Sequence, residues 1–270
     1  KVTKNLIVAN NRELGHFTSI SDAVTYSKHF SKLFPNSGTP TIHVREGEYE
    51  VSEEINIIHD LILKGSGPNT VITRASGYPP GGEHVNSVLS PVFSIGGVVE
   101  EDSIVHGVEL RDFTYKGLEG LTPGVGGATI QVRRDINTSG NNEALISIQN
   151  VRFIAASDYV VDSTTGWSGN GWNYDSTPNE TPFHIGRSSD GLYKDIIISN
   201  CHFDGVGYGR GVIYLDADND YENINVFGNI SSGAIDSDYS LVNYHNVDNN
   251  GTGKTLTSFQ ETSNVIKYES

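Results

Sequence analysis

The stretch IIISNCHF, at 196–203, decides the fold, because the same frame occurs twice more, as ISIQNVRF (146–153) and ELRDFTY (109–115). In each copy an aliphatic residue (Leu110, Ile148, Ile198) is followed two positions later by a short turn-forming side chain (Asp112, Asn150, Asn200). Three positions further comes an aromatic (Tyr115, Phe153, Phe203). The unit reads as strand, corner, strand. The corner residues lie 38 and then 50 positions apart, and each interval holds a second apolar run, TIQV (129–132) and PFHI (182–185). VIYLD (212–216), INVFGNI (224–230) and LVNYHNV (241–247) continue the series.

Period-two strands at irregular spacing, with loops absorbing the length differences, are the pattern of stacked solenoid coils. A single coil cannot bury its apolar face, whereas stacked coils place their aliphatics in one continuous column and pair each strand with those above and below. Asn and Asp suit the corner because they tolerate the left-handed backbone, and an Asn amide can bond its counterpart one coil away. The reading is an all-β, single-stranded parallel β-helix in which Leu110, Ile148 and Ile198 stand over one another.

Upstream, FTSISDAVTYSKHFSKLFPNSG (17–38) has a different period. Ser19 or Ser21 can cap a helix, Ala23, Val24, Tyr26, Phe30 and Leu33 recur at helical spacing, and Pro35, Asn36 and Gly38 end it. Such a helix ahead of a run of strands is expected to plug the open end of the core against solvent and strand addition. No composition shift marks a domain linker, so 1–270 is read as one domain. Residues 1–38 hold the helix, 39–253 the coils, and 254–270 the strands that finish the stack.

The chain carries 33 Asp and Glu against 18 Lys and Arg, a net charge of −15. Phosphate backbones are repelled by such a surface, so nucleic acid is excluded as a partner. No apolar run is long enough to span a bilayer, and KVTKNLIVANN lacks the apolar core of a signal peptide, so no membrane partner is expected. The acidity fits either the solubility of an exposed virion or secreted protein, or carboxylates that bind cations. A chain that begins with Lys and contains no Met is expected to be processed or excised from a longer one. Cys201, the only cysteine, excludes an internal disulfide framework and reads as a small core residue.

The pieces F-x-S-I-x-D-A-V (17–24), R-E-G-E-Y (45–49) and L-x-L-K-G-S-G-P-N-T-V-I (61–72) resemble the first coils of the pectate lyase-like superfamily of right-handed β-helices, phage tailspikes included. The resemblance covers about the first 75 residues by motif and the remainder by periodicity. It implies a right-handed coil, and, for the phage kind, a homotrimer displayed on a virion beside other virion proteins. It does not choose a chemistry, since the same fold carries lyases, hydrolases, esterases and inert fibres. The esterase pattern, a Gln-Asp pair in one strand and Asp followed by aromatic-Ile-Phe-Gly in another, is absent, which argues against a pectin methylesterase.

Several groups are candidates for chemistry. SDYVVDSTTGWSGNGWNYDSTPNET (157–181) is the longest interruption and carries Trp167, Trp172 and Tyr174. These rings would suit the apolar faces of sugars, or equally a flank or subunit interface. Asp190, Asp204, Asp216 and Asp218 fall on neighbouring coils and could supply the two carboxylates of a glycosidase, which stand about 5 Å apart for retention or about 6.5 to 9.5 Å for inversion. A lyase of the superfamily would instead pair calcium-binding Asp residues with a basic side chain, here Arg187 or Arg210. Catalytic candidates are therefore Asp190, Asp204 and Arg187.

LDADNDYEN (215–223) sets Asp216, Asp218 and Asp220 at alternate positions like the opening of a calcium loop. Tyr221 and Phe227 stand where an EF-hand needs Gly and Glu, so a solvated acidic turn is the simpler reading and no cofactor is required. The nine histidines form no pair at metal-ligand spacing within one element. Asn137, Asn179, Asn229 and Asn250 head glycosylation triplets at a frequency that chance supplies.

Two functions follow. The first is a structural and adhesive β-helix of spike, fibre or head-decoration type on a virion surface or otherwise extracellular, binding cell-surface polysaccharide. The second is a polysaccharide lyase or glycoside hydrolase working in a groove along the coils.

Overall fold

A strand whose alternate residues are apolar buries one face, and a residue with positive φ turns the chain without ending the pairing. Those two elements build this protein. The computed structural model describes residues 4–78, 91–96, 105, 107–117, 128–132, 145–154, 181–186, 192–207, 212–215, 219–234, 241–244 and 256–268. Strand β1 (Asn5–Val8) and helix α1 (Ile20–Leu33) precede the first full coil, β2 (Thr41–Val44), β3 (Gly47–Val51) and β4 (Ile55–Ile57). The second coil is β5 (Leu61–Gly65), β6 (Thr70–Arg74) and β7 (Phe93–Ile95). In the third and fourth one long strand rounds the corner: β8 (Gly107–Lys116) with β9 (Ala128–Val132), then β10 (Leu145–Ile154) with β11 (Thr181–Ile185). The fifth is β12 (Leu192–Ser199), β13 (His202–Gly207) and β14 (Ile213–Leu215), and the sixth β15 (Asp220–Phe227), β16 (Ile230–Ala234) and β17 (Val242–Tyr244). β18 (Leu256–Thr257), β19 (Gln260–Thr262) and β20 (Val265–Tyr268) lie on the sixth.

Each strand pairs in parallel with the equivalent strand of the next coil, giving three flanks. The first runs β1-β2-β5-β8-β10-β12-β15-β18, and the third β4-β7-β9-β11-β14-β17. The second joins β3, β6, the far halves of β8 and β10, β13, β16 and β20. The chain is a parallel β-helix.

The repeat predicted from 109–115, 146–153 and 196–203 sits in register. Ile148 pairs with Leu110 on one side and Ile198 on the other. The column extends to Leu6, Ile42 and Leu63 below and Val226 above, each at most 3% exposed. Beyond the corner the aromatics form their own column, with Tyr115 beside Phe153 and Phe153 stacked on Phe203 at 5.3 Å between ring centres. Phe183 of the third flank meets Phe153 edge-on at 5.0 Å, so the flanks share one core.

The corners adopt the left-handed backbone: φ is +60° at Asp112, +52° at Asn150 and +53° at Asn200. Asn150 Nδ2 donates to Asp112 Oδ1 at 2.8 Å, the coil-to-coil bond expected of these side chains. At the next corner the chain uses Gly228 (φ +67°), because a Cβ there would come within 2.8 Å of Asn200 Oδ1. Asp195, Asn223 and Ser258 make a second set of positive-φ residues where the first flank begins, and Asn223 Nδ2 donates to Asp195 Oδ1.

Helix α1 closes the first coil. Ser19 caps it, its Oγ accepting the Asp22 N–H at 3.2 Å, and the chain leaves through Phe34 and Pro35. Ile20, Ala23, Val24, Ser27 and Phe30 form its buried face. Tyr26 and Leu33, which share the apolar period, instead face outward at 43% and 72% exposure; Ile20 and Ser27 complete the inner stripe. Among the described residues no helix is long and apolar enough to cross a membrane.

Candidate functional site

On the second flank Phe153 and Phe203 point inward, so Arg152, His202 and Asp204, one position from an inward ring, must point out. Register then gathers side chains that sequence keeps far apart. Arg152 lies beside His202, Ile154 beside Asp204, and Asp204 beside Ser232 of the next coil. Neighbouring rungs are about 4.8 Å apart, so side chains of adjacent coils reach one another across the flank.

They meet at the Asp204 carboxylate. Arg152 Nε donates to Oδ2 at 2.6 Å, His202 Nε2 lies 2.9 Å from Oδ1, and Ser232 Oγ donates to Oδ1 at 2.8 Å. Burial alone would raise this carboxyl, but the Ser232 and Arg152 hydrogen bonds and the neighbouring His202 and Arg152 charges outweigh it and hold it below the ordinary value. Asp204 is thus a fixed, ionised acceptor rather than a proton donor at neutral pH. Its side chain is 19% exposed, whereas those of Arg152 and His202 are 49% and 38% exposed and form the accessible part of the cluster.

A second outward row lies on the first flank: His43, Lys64, Arg111 and Gln149 follow in register. Arg111 is tied to Glu109 and lies 3.5 Å from Asp112. Burial, then Lys64 and Arg111, push the His43 ring below its ordinary value and keep it neutral. On the third flank Gln131 Nε2 lies 3.2 Å from His184 Nδ1, and the His184 ring meets Tyr214 edge-on at 5.2 Å.

Of the residues singled out in the sequence, Asp204 sits in the cluster. Asp220 opens β15, half-buried and opposite Leu192, on the other side of the corner from Asp204. Asp190, Arg187, Arg210, Asp216 and Asp218 lie outside the described residues, as do Trp167, Trp172 and Tyr174. Among the described residues no group of three or more His, Cys, Asp or Glu side chains gathers as a metal site. Cys201 is buried and its thiol is pushed up to about 12 by burial, so it is not a nucleophile at neutral pH. Sequence reasoning passed over Arg152, His202 and Ser232. The available signal was the alternation R-F-I and H-F-D around an inward Phe, which puts Arg152, His202 and Asp204 on one face.

No family profile and no curated protein matches the sequence. Among solved structures the chain is similar to pectin methylesterase PemA from Erwinia chrysanthemi, at 15% identity and a TM-score of 0.47, over 89% of this chain and 58% of that one. A pectin methylesterase in complex with a hexasaccharide gives 14% identity and a TM-score of 0.36 over 100% and 68%. ORF18 of Geobacillus virus E2 gives 14% identity and a TM-score of 0.22 over 87% and 54%. The chain spans 58% of PemA's length and lacks the esterase residue pattern, and at such identity no residue role passes from these proteins to this one.

Proposed function

We propose that this β-helix is a polysaccharide-binding protein of a virion or other extracellular surface, adhesive rather than catalytic, and assembled as a homotrimer. The observation that carries the binding reading is the outward Arg152–His202–Asp204–Ser232 cluster. It offers a guanidinium, an imidazole and a fixed carboxylate across three coils of a flat flank, the mix of donors and acceptors that sugar hydroxyls and acidic substituents require. The clamped carboxylate supports binding over acid catalysis, since a glycosidase acid must hold its proton until the leaving group takes it. The net charge of −15 and the tailspike resemblance support the virion part. Trp167, Trp172 and Tyr174 are the proposed aromatic platform; calcium at Asp216, Asp218 and Asp220 is an accessory of this reading and is not required by it.

A second reading has one observation in its favour. The His202–Asp204 pair has the arrangement of a base oriented by a carboxylate, which a hydrolase or lyase could use with Asp190 or Arg187 nearby in sequence.

One experiment separates them. Bacterial surface and uronate-containing polysaccharides are titrated calorimetrically, and the same mixtures are assayed for new reducing ends and unsaturated products. The adhesive reading expects saturable binding without products, weakened about tenfold or more by Arg152→Ala at unchanged melting temperature. Product formation abolished by His202→Gln would replace it with the enzyme. Light scattering that gives a monomer at micromolar concentration would remove the trimer.

A further inference from the structure

We propose that the Ser27–His59 contact is an acid-released latch that holds α1 over the end of the β-helix. Ser27 lies at the centre of the helix's buried face, wholly covered, and His59 stands in the turn between β4 and β5 at 7% exposure. Ser27 Oγ and His59 Nε2 are 2.7 Å apart. Ser27 Oγ also donates to the Val24 carbonyl at 2.8 Å, which commits its single proton. Nε2 must therefore carry the hydrogen shared with Oγ, leaving Nδ1 as the bare nitrogen. Nδ1 is buried with no hydrogen-bond partner. A second proton on this ring would put an N–H and a charge where nothing accepts them, so protonation and the closed helix exclude each other.

The charges around the ring do not change that outcome. Burial is the main effect and lowers the ring to about 4; Asp60 beside it raises it and Lys28 on α1 lowers it again. Asp60 is itself engaged, Oδ1 accepting the Gly107 N–H at 3.0 Å. The β3–β4 turn contributes Glu53, bound by Ser21 Oγ, and the segment before α1 contributes His16, whose Nδ1 accepts the Ile7 N–H. The sign follows from the neutral ring being the latched one. Closure is fully supported above the free-ring value of 6.5 and is lost as pH falls from there toward about 4. Opening uncovers the apolar end of the core at Leu6 and Val8, while the outer backbone groups of β1 stay bonded to His16 and Phe17.

Hydrogen exchange on the intact chain tests the latch. Corrected for intrinsic rates, amides of α1 should lose more than about tenfold of their protection between pH 7 and about pH 4.5, while those of β10 and β12 keep theirs. His59→Gln keeps a donor toward Ser27 but does not titrate, and should abolish the difference; His16→Gln should not. Helix protection that survives acidification, or falls equally in His59→Gln, would overturn the proposal. Should His59→Gln fail to fold, the wild-type ring resonances decide: titration of His59 near 4 together with helix opening supports the latch, and titration near 6.5 refutes it.

Discussion

Ile148→Asp is expected to yield no folded protein, whereas Gln149→Asp, one residue along, should melt within a few degrees of the wild type. Ile148 is 1% exposed at the middle of a column that runs from Leu6 to Val226, with Leu110 on one side and Ile198 on the other. A carboxylate there, set between the aliphatic side chains of Leu110 and Ile198, must be ionised at a cost of several kcal/mol or neutralised by a comparable pKa shift. Its neighbours also lose the methyl groups they packed on, which for Ile→Ala alone costs about 2 to 5 kcal/mol. Together these terms approach the whole stability of a typical domain, about 5 to 15 kcal/mol. Because each coil is completed by its neighbours, the damage does not stay in one rung: β8 and β12 both rest on β10. Gln149 points outward, half-buried beside Arg111, and the change removes only its hydrogen bond to Ser147 Oγ, a loss of about 0.5 to 1.5 kcal/mol. Circular dichroism melts of Ile148→Val, Ile148→Ala and Ile148→Asp should form a graded series. An Ile148→Asp protein with a near-wild-type melt would mean that the column does not carry the fold.

The column was legible because its two signals are local. Alternation fixes which residues face inward, and a short Asn or Asp fixes where the strand turns, so three copies of one frame sufficed to place Leu110, Ile148 and Ile198. The helix was legible for the same reason, although its period alone put Tyr26 and Leu33 on the inner face; which stripe is buried depends on where the first coil lies. The site was less legible. Asp204 could be picked out as a carboxylate on a coil, and the bases suggested for it were those nearest in sequence, Arg187 and Arg210. The guanidinium that reaches it belongs to Arg152, 52 positions away. In a solenoid the spatial neighbour is one full coil distant, and the length of that coil is set by loops that follow no period. The Ser27–His59 contact joins a helix to a turn 32 positions on, with no repeat to announce it.

Asn229 gives the clearest case of a residue whose sequence context misleads, and the second large effect. It heads a glycosylation triplet, yet it is fully buried just past the Gly228 corner. Its Oδ1 accepts the Cys201 N–H at 2.8 Å, and its Nδ2 donates to the Ile198 carbonyl at 3.1 Å and to Asn264 Oδ1 at 3.1 Å. Asn264 repeats the arrangement one coil on, accepting the Asn229 N–H at 2.9 Å and donating to the Val226 carbonyl at 3.2 Å. At a corner the backbone turns away from the regular ladder, and these amides supply the partners that strand pairing no longer provides. Asn229→Ala would leave the Cys201 N–H and the Ile198 carbonyl buried without them. At about 1 to 3 kcal/mol for each stranded group, the expected loss is about 3 kcal/mol or more, measured by chemical denaturation. Cys201 occupies the same rung one coil earlier, its Sγ 3.8 Å from the Ile148 carbonyl, where the later coils have an Nδ2. Cys201→Asn should therefore be tolerated and gain up to about 1 kcal/mol, because its amide can reach Ile148 as Asn229 reaches Ile198. Cys201→Leu should cost stability, having no group to offer. If Asn229→Ala and Cys201→Leu were both neutral, the buried amides would be incidental, and register at the corners would rest on side-chain packing alone.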